Sequence, residues 1–237
     1  SAIAIATTTE TAQRLEKIGA TLVQIRSEAG LSAVEIDTLA QLKVPQGSTI
    51  RFVSMGRLLH WKGFHLSLRA LAQADLPTYE YWILGQGPER DRLQALAASL
   101  GIADHVTFWG QLPRQAALDQ LKQSHVLLHP SLHDSGGWVC LEAMAMGHPV
   151  ICLDLGGPAT QVTAKTGIRV PAHTPDQTVR DLATAITSLA NDVAQRTRMG
   201  QAAQHHICKS YSWATKGKEW VDLYAKLLPS QGLANGP

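Results

Sequence analysis

The sequence predicts an α/β fold in which a Rossmann-like parallel sheet carries helices on both faces. Strand-like and helix-like segments alternate between residues 48 and 171, as in a parallel sheet with crossover helices. From Thr49 onward the alternating segments amount to about 160 residues, an ordinary size for one domain. With 45% hydrophobic and 17% charged residues, the chain can form a sizeable core and is not expected to be disordered.

The elements follow one another in a regular order. After the first strand, Phe64, Leu68 and Leu71 recur at helical spacing. Pro88 stands near the start of the next helix and Gly101 past its end, as expected at helix boundaries. The predicted strands are residues 48–56, 79–87, 105–110, 125–131, 149–157 and 167–171. The predicted helices are residues 63–74, 88–101, 113–124, 137–147, 175–208 and 213–228.

The first 45 residues do not continue this alternation. Residues 9–20 are helix-like and residues 21–27 strand-like, whereas residues 28–48 are typical of an ordered connection. We therefore predict that residues 1–45 are the end of an N-terminal domain whose body is missing, together with a linker. The remaining predicted divisions are a Rossmann-like domain at 46–210, a closing helix at 211–228 and a flexible tail at 229–237.

Composition and charge exclude several classes of protein. Lys and Arg number 21 against 19 Asp and Glu, and no basic stripe favours nucleic acid as a partner. No apolar run reaches the roughly 18 residues of a membrane span, and the first residues lack the basic start of a secretory signal. Cys140, Cys152 and Cys208 lie far apart in apolar or helical context, which indicates reduced thiols in a cytoplasmic protein.

Ligand-binding residues are expected in the loops after the strands, because ligands of open parallel sheets bind beyond the carboxyl ends of the strands. The loop GRLLHWKG carries Arg57 and Lys62. Two cations on one loop suit a phosphate-bearing polyanion, and two solvated surface charges are the alternative. Later, SGG opens a helix, where N–H groups and the helix dipole favour an anion. Simple N-capping by Asp134 or Ser135 is the alternative there.

One carboxylate, Glu142, lies within an otherwise apolar run from Trp138 to Met146. A buried carboxylate without a partner is energetically costly. Glu142 is therefore predicted either to face water or to serve a binding site.

Several other motifs are incomplete. GQGPER lacks the third glycine of a dinucleotide fingerprint, because Arg90 occupies that position. His205, His206 and Cys208 are close in sequence, but adjacent side chains on a helix point in different directions, so no metal site is predicted. The sequence also has no D-x-D pair, no Walker A motif and no G-x-S-x-G elbow.

Taken together, a series of segments carries a family resemblance over about residues 49–228. They are GRLLHWKG, LGQGPER, VTFWGQLP, HVLLHPSLHDSGGWVCLEAMAMGHPVICLDLGG and YSWATKGKEWVDLYAKLL. The decisive pattern is an acidic residue, seven intervening residues and a glutamate, here Asp134 and Glu142. The chain resembles the C-terminal, nucleotide-sugar-binding half of a retaining glycosyltransferase of the GT-B fold, in glycosyltransferase family 4 or group 1.

The resemblance implies roles for the matching residues. As implied catalytic residues, Arg57 and Lys62 would neutralise the diphosphate of a nucleotide-sugar donor, Asp134 would face the donor sugar, and Glu142 would accept hydrogen bonds from ribose hydroxyls. Transfer would retain the anomeric configuration without a metal or cofactor. The implied substrate-binding residues are Gly56, then Gln111 and Leu112 by the base, and Ser135, Gly136, Gly137 and Trp138 at the phosphate and sugar.

Three positions depart from the family pattern. Asp134 stands where the family usually has Glu, Gly136 where Phe is common, and Thr160 where a glutamate follows the paired glycines. The first two leave the donor sugar open, whether carried by UDP, GDP or ADP. Another GT-B enzyme, such as a nucleotide-sugar epimerase or a phosphorylase, and a non-catalytic nucleotide-sugar-binding scaffold are the alternatives.

The acceptor is also open and would be a sugar, lipid or polysaccharide. In this architecture the missing N-terminal domain holds the acceptor, so the chain alone is expected to bind donor with little or no transfer. The predicted location is the cytoplasm. The full-length protein could also contact the cytosolic face of a membrane peripherally, although no amphipathic basic helix in this chain supports such contact.

Overall fold

The computed structural model describes residues 3–41 and 49–227. The chain begins with strand β1 (Ala4–Ala6), helix α1 (Thr9–Lys17), strand β2 (Val23–Ile25) and helix α2 (Ala33–Ala40). Strands β1 and β2 pair in parallel as a two-stranded sheet, separate from the larger sheet that follows. The helix predicted at 9–20 and the strand predicted at 21–27 are confirmed.

Residues 28–48, predicted to be an ordered connection, contain helix α2, which was not predicted. Its start is a capping box: the Glu35 N–H donates to Ser32 Oγ at 3.2 Å, and the Ser32 N–H donates to Glu35 Oε2 at 2.9 Å. Ile36 and Leu39 are buried beneath it. Residues 42–48 of the predicted connection lie outside the described residues.

The main sheet has six parallel strands in the order β5-β4-β3-β6-β7-β8. Its strands and connecting helices are β3 (Ile50–Met55), α3 (Phe64–Gln73), β4 (Tyr79–Leu84), α4 (Arg90–Ser99), β5 (Val106–Gly110), α5 (Arg114–Lys122), β6 (Val126–His129), α6 (Trp138–Ala145), β7 (Val150–Leu153), α7 (Gly156–Gln161) and β8 (Gly167–Val170). The predicted α/β class and parallel sheet are confirmed.

Helices cover both faces of this sheet, because successive strand residues point to opposite sides. Phe52 belongs to a hydrophobic cluster with residues of α3, α4 and helix α8 (Pro175–Asn191), whereas its neighbour Val53 belongs to a cluster with residues of α2, α5, α6 and helix α9 (Val193–Ser210). Neighbouring strand residues thus belong to two separate hydrophobic clusters, one on each face. The strands are apolar on both sides, as expected of a sheet covered on both faces.

Two predicted elements differ in their boundaries from the structure. The single helix predicted at 175–208 is two helices, because Asp192 ends α8 and its Oδ1 accepts a hydrogen bond from the Gln195 N–H at 2.7 Å. The strand predicted at 149–157 ends at Leu153, and Gly156 begins α7 instead. Helix α10 (Trp213–Leu227) matches the predicted closing helix, and the predicted tail at 229–237 lies outside the described residues.

Candidate functional site

The winding direction of the sheet reverses between β3 and β6. The chain runs from β3 outward through β4 to β5 and then returns to place β6 on the other side of β3. Open parallel sheets bind ligands in the crevice at such a reversal. The two loops that flank it carry Arg57 and Lys62 after β3, and Asp134 after β6.

An ion pair joins these two loops. Lys62 Nζ lies 2.7 Å from Asp134 Oδ2, and His129 Nε2, at the end of β6, lies 3.0 Å from the same oxygen. Burial by itself would raise the pKa of Asp134, but the hydrogen bonds from His129, Lys62 and the Gly137 N–H outweigh it and hold that pKa well below its usual range. Asp134 is therefore ionised at neutral pH, and any diphosphate that Lys62 contacts must share it with Asp134.

The N-cap residue of α6 is Gly137, and no side chain caps the helix, so the alternative of simple N-capping by Asp134 or Ser135 is wrong. Asp134 Oδ1 instead accepts a hydrogen bond from the N–H of Gly137 itself at 2.9 Å. Gly137 has a φ of +58°, and a Cβ there would lie 2.5 Å from Gln161 Oε1, so this position requires glycine. The N–H groups of Trp138 and Val139 then open the helix without an intrahelical acceptor, as at every helix start.

The loop after β7 packs directly on the loop after β6. The Gly157 N–H donates to the Asp134 carbonyl at 2.7 Å. A Cβ on Gly157 would lie 2.1 Å from the Ser135 carbonyl oxygen, so only glycine permits this approach. From the N-terminal segment, Glu28 Oε1 accepts a hydrogen bond from Ser135 Oγ at 3.2 Å. The segment before the main sheet therefore touches the predicted phosphate and sugar loop.

A cavity of about 370 Å³ opens at the carboxyl ends of β3, β4 and β5. It contains four of the predicted site residues, namely Gly56, Arg57, Gln111 and Leu112. Arg57 is exposed, and among the described residues its side chain has no hydrogen bond or ion pair. The other lining residues are Met55, Leu84, Gly85, Gln86 and Ala117.

Glu142 does not face water, since only 7% of its surface is exposed. Its Oε1 lies 2.7 Å from Nη2 of Arg114, the first residue of α5, and Arg114 also lies 3.3 Å from Glu35 Oε1 on α2. Burial raises the pKa of Glu142, with Arg114 opposing this shift and Glu35 adding to it. Arg114 was not predicted from the sequence, because no spacing rule links it to a carboxylate 28 positions later.

The structure thus brings the predicted site residues together as two groups and one separate carboxylate. Lys62, Asp134 and Gly137 are in contact, while Arg57 and its neighbours line the cavity beside them. Glu142 contacts Arg114 at the start of α5, and Ala117 of the same helix lines the cavity. Within residues 3–41 and 49–227, no cluster of three or more His, Cys, Asp or Glu is arranged to hold a metal. None of the described helices has the length and hydropathy of a membrane span.

This fold defines a Rossmann-like domain with a crevice at the reversal of its sheet. The family model for glycosyl transferases group 1 matches residues 37–206. The chain belongs to this family. Its main sheet and the helices that cover it form the C-terminal domain of a GT-B fold.

Relatives and solved structures agree with this assignment. The chain is 31% identical over 218 residues to D-inositol 3-phosphate glycosyltransferase of Streptomyces avermitilis, covering 87% of this chain and 45% of the relative. It is 32% identical to the GDP-mannose-dependent α-(1-6)-phosphatidylinositol monomannoside mannosyltransferase of Mycolicibacterium smegmatis, covering 72% of this chain and 46% of the relative. The chain spans about half the length of the curated relatives it matches.

Among solved structures, Anabaena HepE in complex with UDP and glucose superposes with a TM-score of 0.73. The two chains are 21% identical, and the match covers 95% of this chain and 64% of HepE. At this identity the likeness establishes the shared fold.

Proposed function

We propose that this chain is the donor-binding half of a retaining, metal-independent glycosyltransferase that uses a nucleoside diphosphate sugar. The observation that carries the proposal is the junction at the reversal of the sheet, where Lys62 and Asp134 meet beside the cavity that Arg57 lines. The relatives support it, since one is named as GDP-mannose-dependent and HepE was solved with UDP and glucose.

In this proposal the base and ribose occupy the cavity by Gln111 and Leu112, and the diphosphate lies across the crevice. Arg57 and Lys62 would stabilise the negative charge that develops on the departing diphosphate. The first N–H groups of α6 would add to this effect at the positive end of the helix dipole. With two cations and a helix start facing one crevice, the leaving group can be stabilised by protein groups alone.

The acceptor is assigned to the part of the enzyme beyond this chain. The chain spans about half the length of its curated relatives, so we expect it to bind donor with little or no transfer. We keep the cytoplasmic location, with or without peripheral membrane contact, as part of this proposal. The buried, unpaired thiols of Cys140 and Cys152 support a reducing compartment.

The test is calorimetric titration of the chain with UDP, GDP, ADP and their sugars, beside the Glu142→Ala variant. Losing a charged acceptor of ribose hydroxyls should cost about 1.5–3 kcal/mol, or roughly ten- to a hundred-fold in affinity. Asp119→Ala, which removes an exposed carboxylate on α5, is the matched control and should leave the affinity unchanged.

Selective binding of one nucleotide that weakens in Glu142→Ala would identify the donor and support the proposal. Equal affinity of the parent chain and Glu142→Ala for the nucleotide would show that Glu142 is not part of the binding site. Failure of the folded chain to bind any of these nucleotides would contradict the proposal that this half alone holds the donor.

A further inference from the structure

We infer that Arg114 is a positioning residue of the donor site, which holds one oxygen of Glu142 so that the other oxygen faces a ribose hydroxyl. The inference rests on the proposed function, because that proposal assigns Glu142 to the ribose. No motif in the sequence marks Arg114, and only its contacts in the structure distinguish it.

The two oxygens of Glu142 differ in their contacts. Oε1 is held by Arg114 at 2.7 Å, and the side chain is only 9% exposed. Within the described residues, Oε2 has no hydrogen bond and is also not among the fully buried unpaired atoms. Oε2 is therefore the oxygen left for an incoming donor group.

A second carboxylate anchors Arg114. Its guanidinium lies between Glu142 and Glu35, whose Oε1 is 3.3 Å away. Glu35 is itself fixed, because its Oε2 accepts hydrogen bonds from the Ser32 N–H and from Ser32 Oγ, both at 2.9 Å. Arg114 is therefore clamped between a fixed carboxylate on α2 and the carboxylate that it positions.

The position of Arg114 in its own helix is unfavourable for a cation. It opens α5, where the helix dipole disfavours a cation, and the first turn of α5 has no acidic side chain to offset this. The two carboxylates therefore stabilise Arg114 at this position, and the helix does not. Leu112 and Ala117, which precede and follow it in the chain, both line the cavity, so the clamp lies at the cavity's edge.

The charged and titratable groups facing Glu142 are Arg114 on α5, Glu35 on α2 and the buried thiol of Cys140 on its own helix. Without Arg114, burial and the like charge of Glu35 would both act to protonate Glu142. Burial already raises the pKa of Glu142. An Arg114 variant should therefore lose ribose recognition more strongly as the pH falls.

The experiment compares two ligands, namely the nucleoside diphosphate that binds best among UDP, GDP and ADP, and its 2′,3′-dideoxy analogue. Calorimetry at pH 7.5 and pH 5.5 measures both on the parent chain, Arg114→Gln, Arg114→Lys, Glu142→Gln and the double variant Arg114→Gln with Glu142→Gln. Arg180→Gln, which removes an exposed arginine on α8, is the matched control.

We expect Arg114→Gln to weaken the ribose ligand by about five- to tenfold, less than the loss of a whole hydrogen bond to a charged group, because Glu142 itself is retained, and to leave the dideoxy ligand unchanged. The loss should be larger at pH 5.5, and Arg114→Lys should restore part of it. In the Glu142→Gln background, Arg114→Gln should add no further loss, because the two residues act through one contact.

The outcomes separate this inference from the proposed function. If the parent chain binds both ligands equally, the assignment of Glu142 to the ribose fails and the inference fails with it. If only Glu142→Gln reduces the discrimination, while Arg114→Gln leaves it intact or weakens both ligands equally, the inference alone is overturned. Should Arg114→Gln not fold, Glu35→Gln removes the second anchor. It should give a smaller, ribose-dependent loss, and an equal loss for both ligands would overturn the inference.

Discussion

The two carboxylates of the site are Asp134, in the loop before α6, and Glu142, within α6, and they have opposite electrostatic environments. Asp134 is held by Lys62, by His129 and by the Gly137 N–H, and its pKa is lowered although burial acts against this. Glu142 has a single cation, which Glu35 shares, and its pKa is raised. Burial acts in the same direction on both, so the number and charge of the partners decide the difference.

This contrast indicates two kinds of work. Asp134 fixes the backbone, because Oδ1 accepts a hydrogen bond from the Gly137 N–H just before α6 and Oδ2 joins the loops after β3 and β6. Glu142 keeps an oxygen available, as a ligand-binding group must. A carboxylate whose pKa is raised by burial favours a functional role, whereas one whose pKa is lowered by several hydrogen bonds from the protein also holds its own loop in place.

The largest expected effect separates these two roles by stability. Asp134→Asn should lower the free energy of unfolding by about 2 kcal/mol, because it removes charge-assisted hydrogen bonds in a largely buried place. Glu142→Gln should change it by less than about 1 kcal/mol, since the amide oxygen can still accept from the half-exposed Arg114. Urea unfolding of both variants measures this. His133→Ala, an exposed neighbour, is the control, and equal destabilisation by both variants would break the contrast.

The same contrast predicts opposite pH dependence. The pKa of Asp134 is lowered on folding, so its stabilisation is complete above the unfolded value of 3.8 and is lost as the pH falls below it. The pKa of Glu142 is raised on folding, so its contribution is greatest below 4.5 and is lost as the pH rises through the folded value.

Unfolding free energies from pH 3 to pH 7 test these signs. As the pH rises to about 4, the free energy of unfolding of Asp134→Asn should fall increasingly below that of the parent chain, and above pH 4 the difference should stay constant. Above about pH 4.5, the free energy of unfolding of Glu142→Gln should rise relative to that of the parent chain. Parallel curves for the two variants would show that the two carboxylates do not differ in folded-state pKa.

Much of the fold could be predicted from the sequence, because its signals are local. The alternation of apolar strands with amphipathic helices predicts the main sheet, and the glycines and prolines predict most boundaries. Two misses had a local signal as well: S-x-x-E at Ser32 marks the capping box of α2, and Asp192 marks a helix start inside the predicted long helix. Helix α7 has no such signal, since it opens on two glycines.

The site was predictable only in part, because its partners come together through the fold. Patterns along the chain indicated Arg57, Lys62 and Asp134 as site residues, and the strand order then placed the latter two in contact. His129 and Arg114 carried no pattern of their own. Their roles arise from distances that only the packing of β6, α5 and α6 sets.

The smallest expected effect compares the two cations of the loop after β3. Arg57 has no carboxylate partner among the described residues and is exposed, whereas Lys62 is paired with Asp134. Arg57→Gln should therefore weaken nucleoside diphosphate binding by about three- to tenfold at low salt without lowering stability, and the effect should shrink as salt screens the exposed charge. Lys62→Gln should lower both affinity and stability, because it also leaves Asp134 without its cation. Calorimetry at low and at roughly 0.3 M salt, beside urea unfolding, measures both quantities. A salt-independent loss in Arg57→Gln would mean that this guanidinium makes a desolvated contact with the diphosphate, and the distinction between a free and a paired cation would then no longer hold.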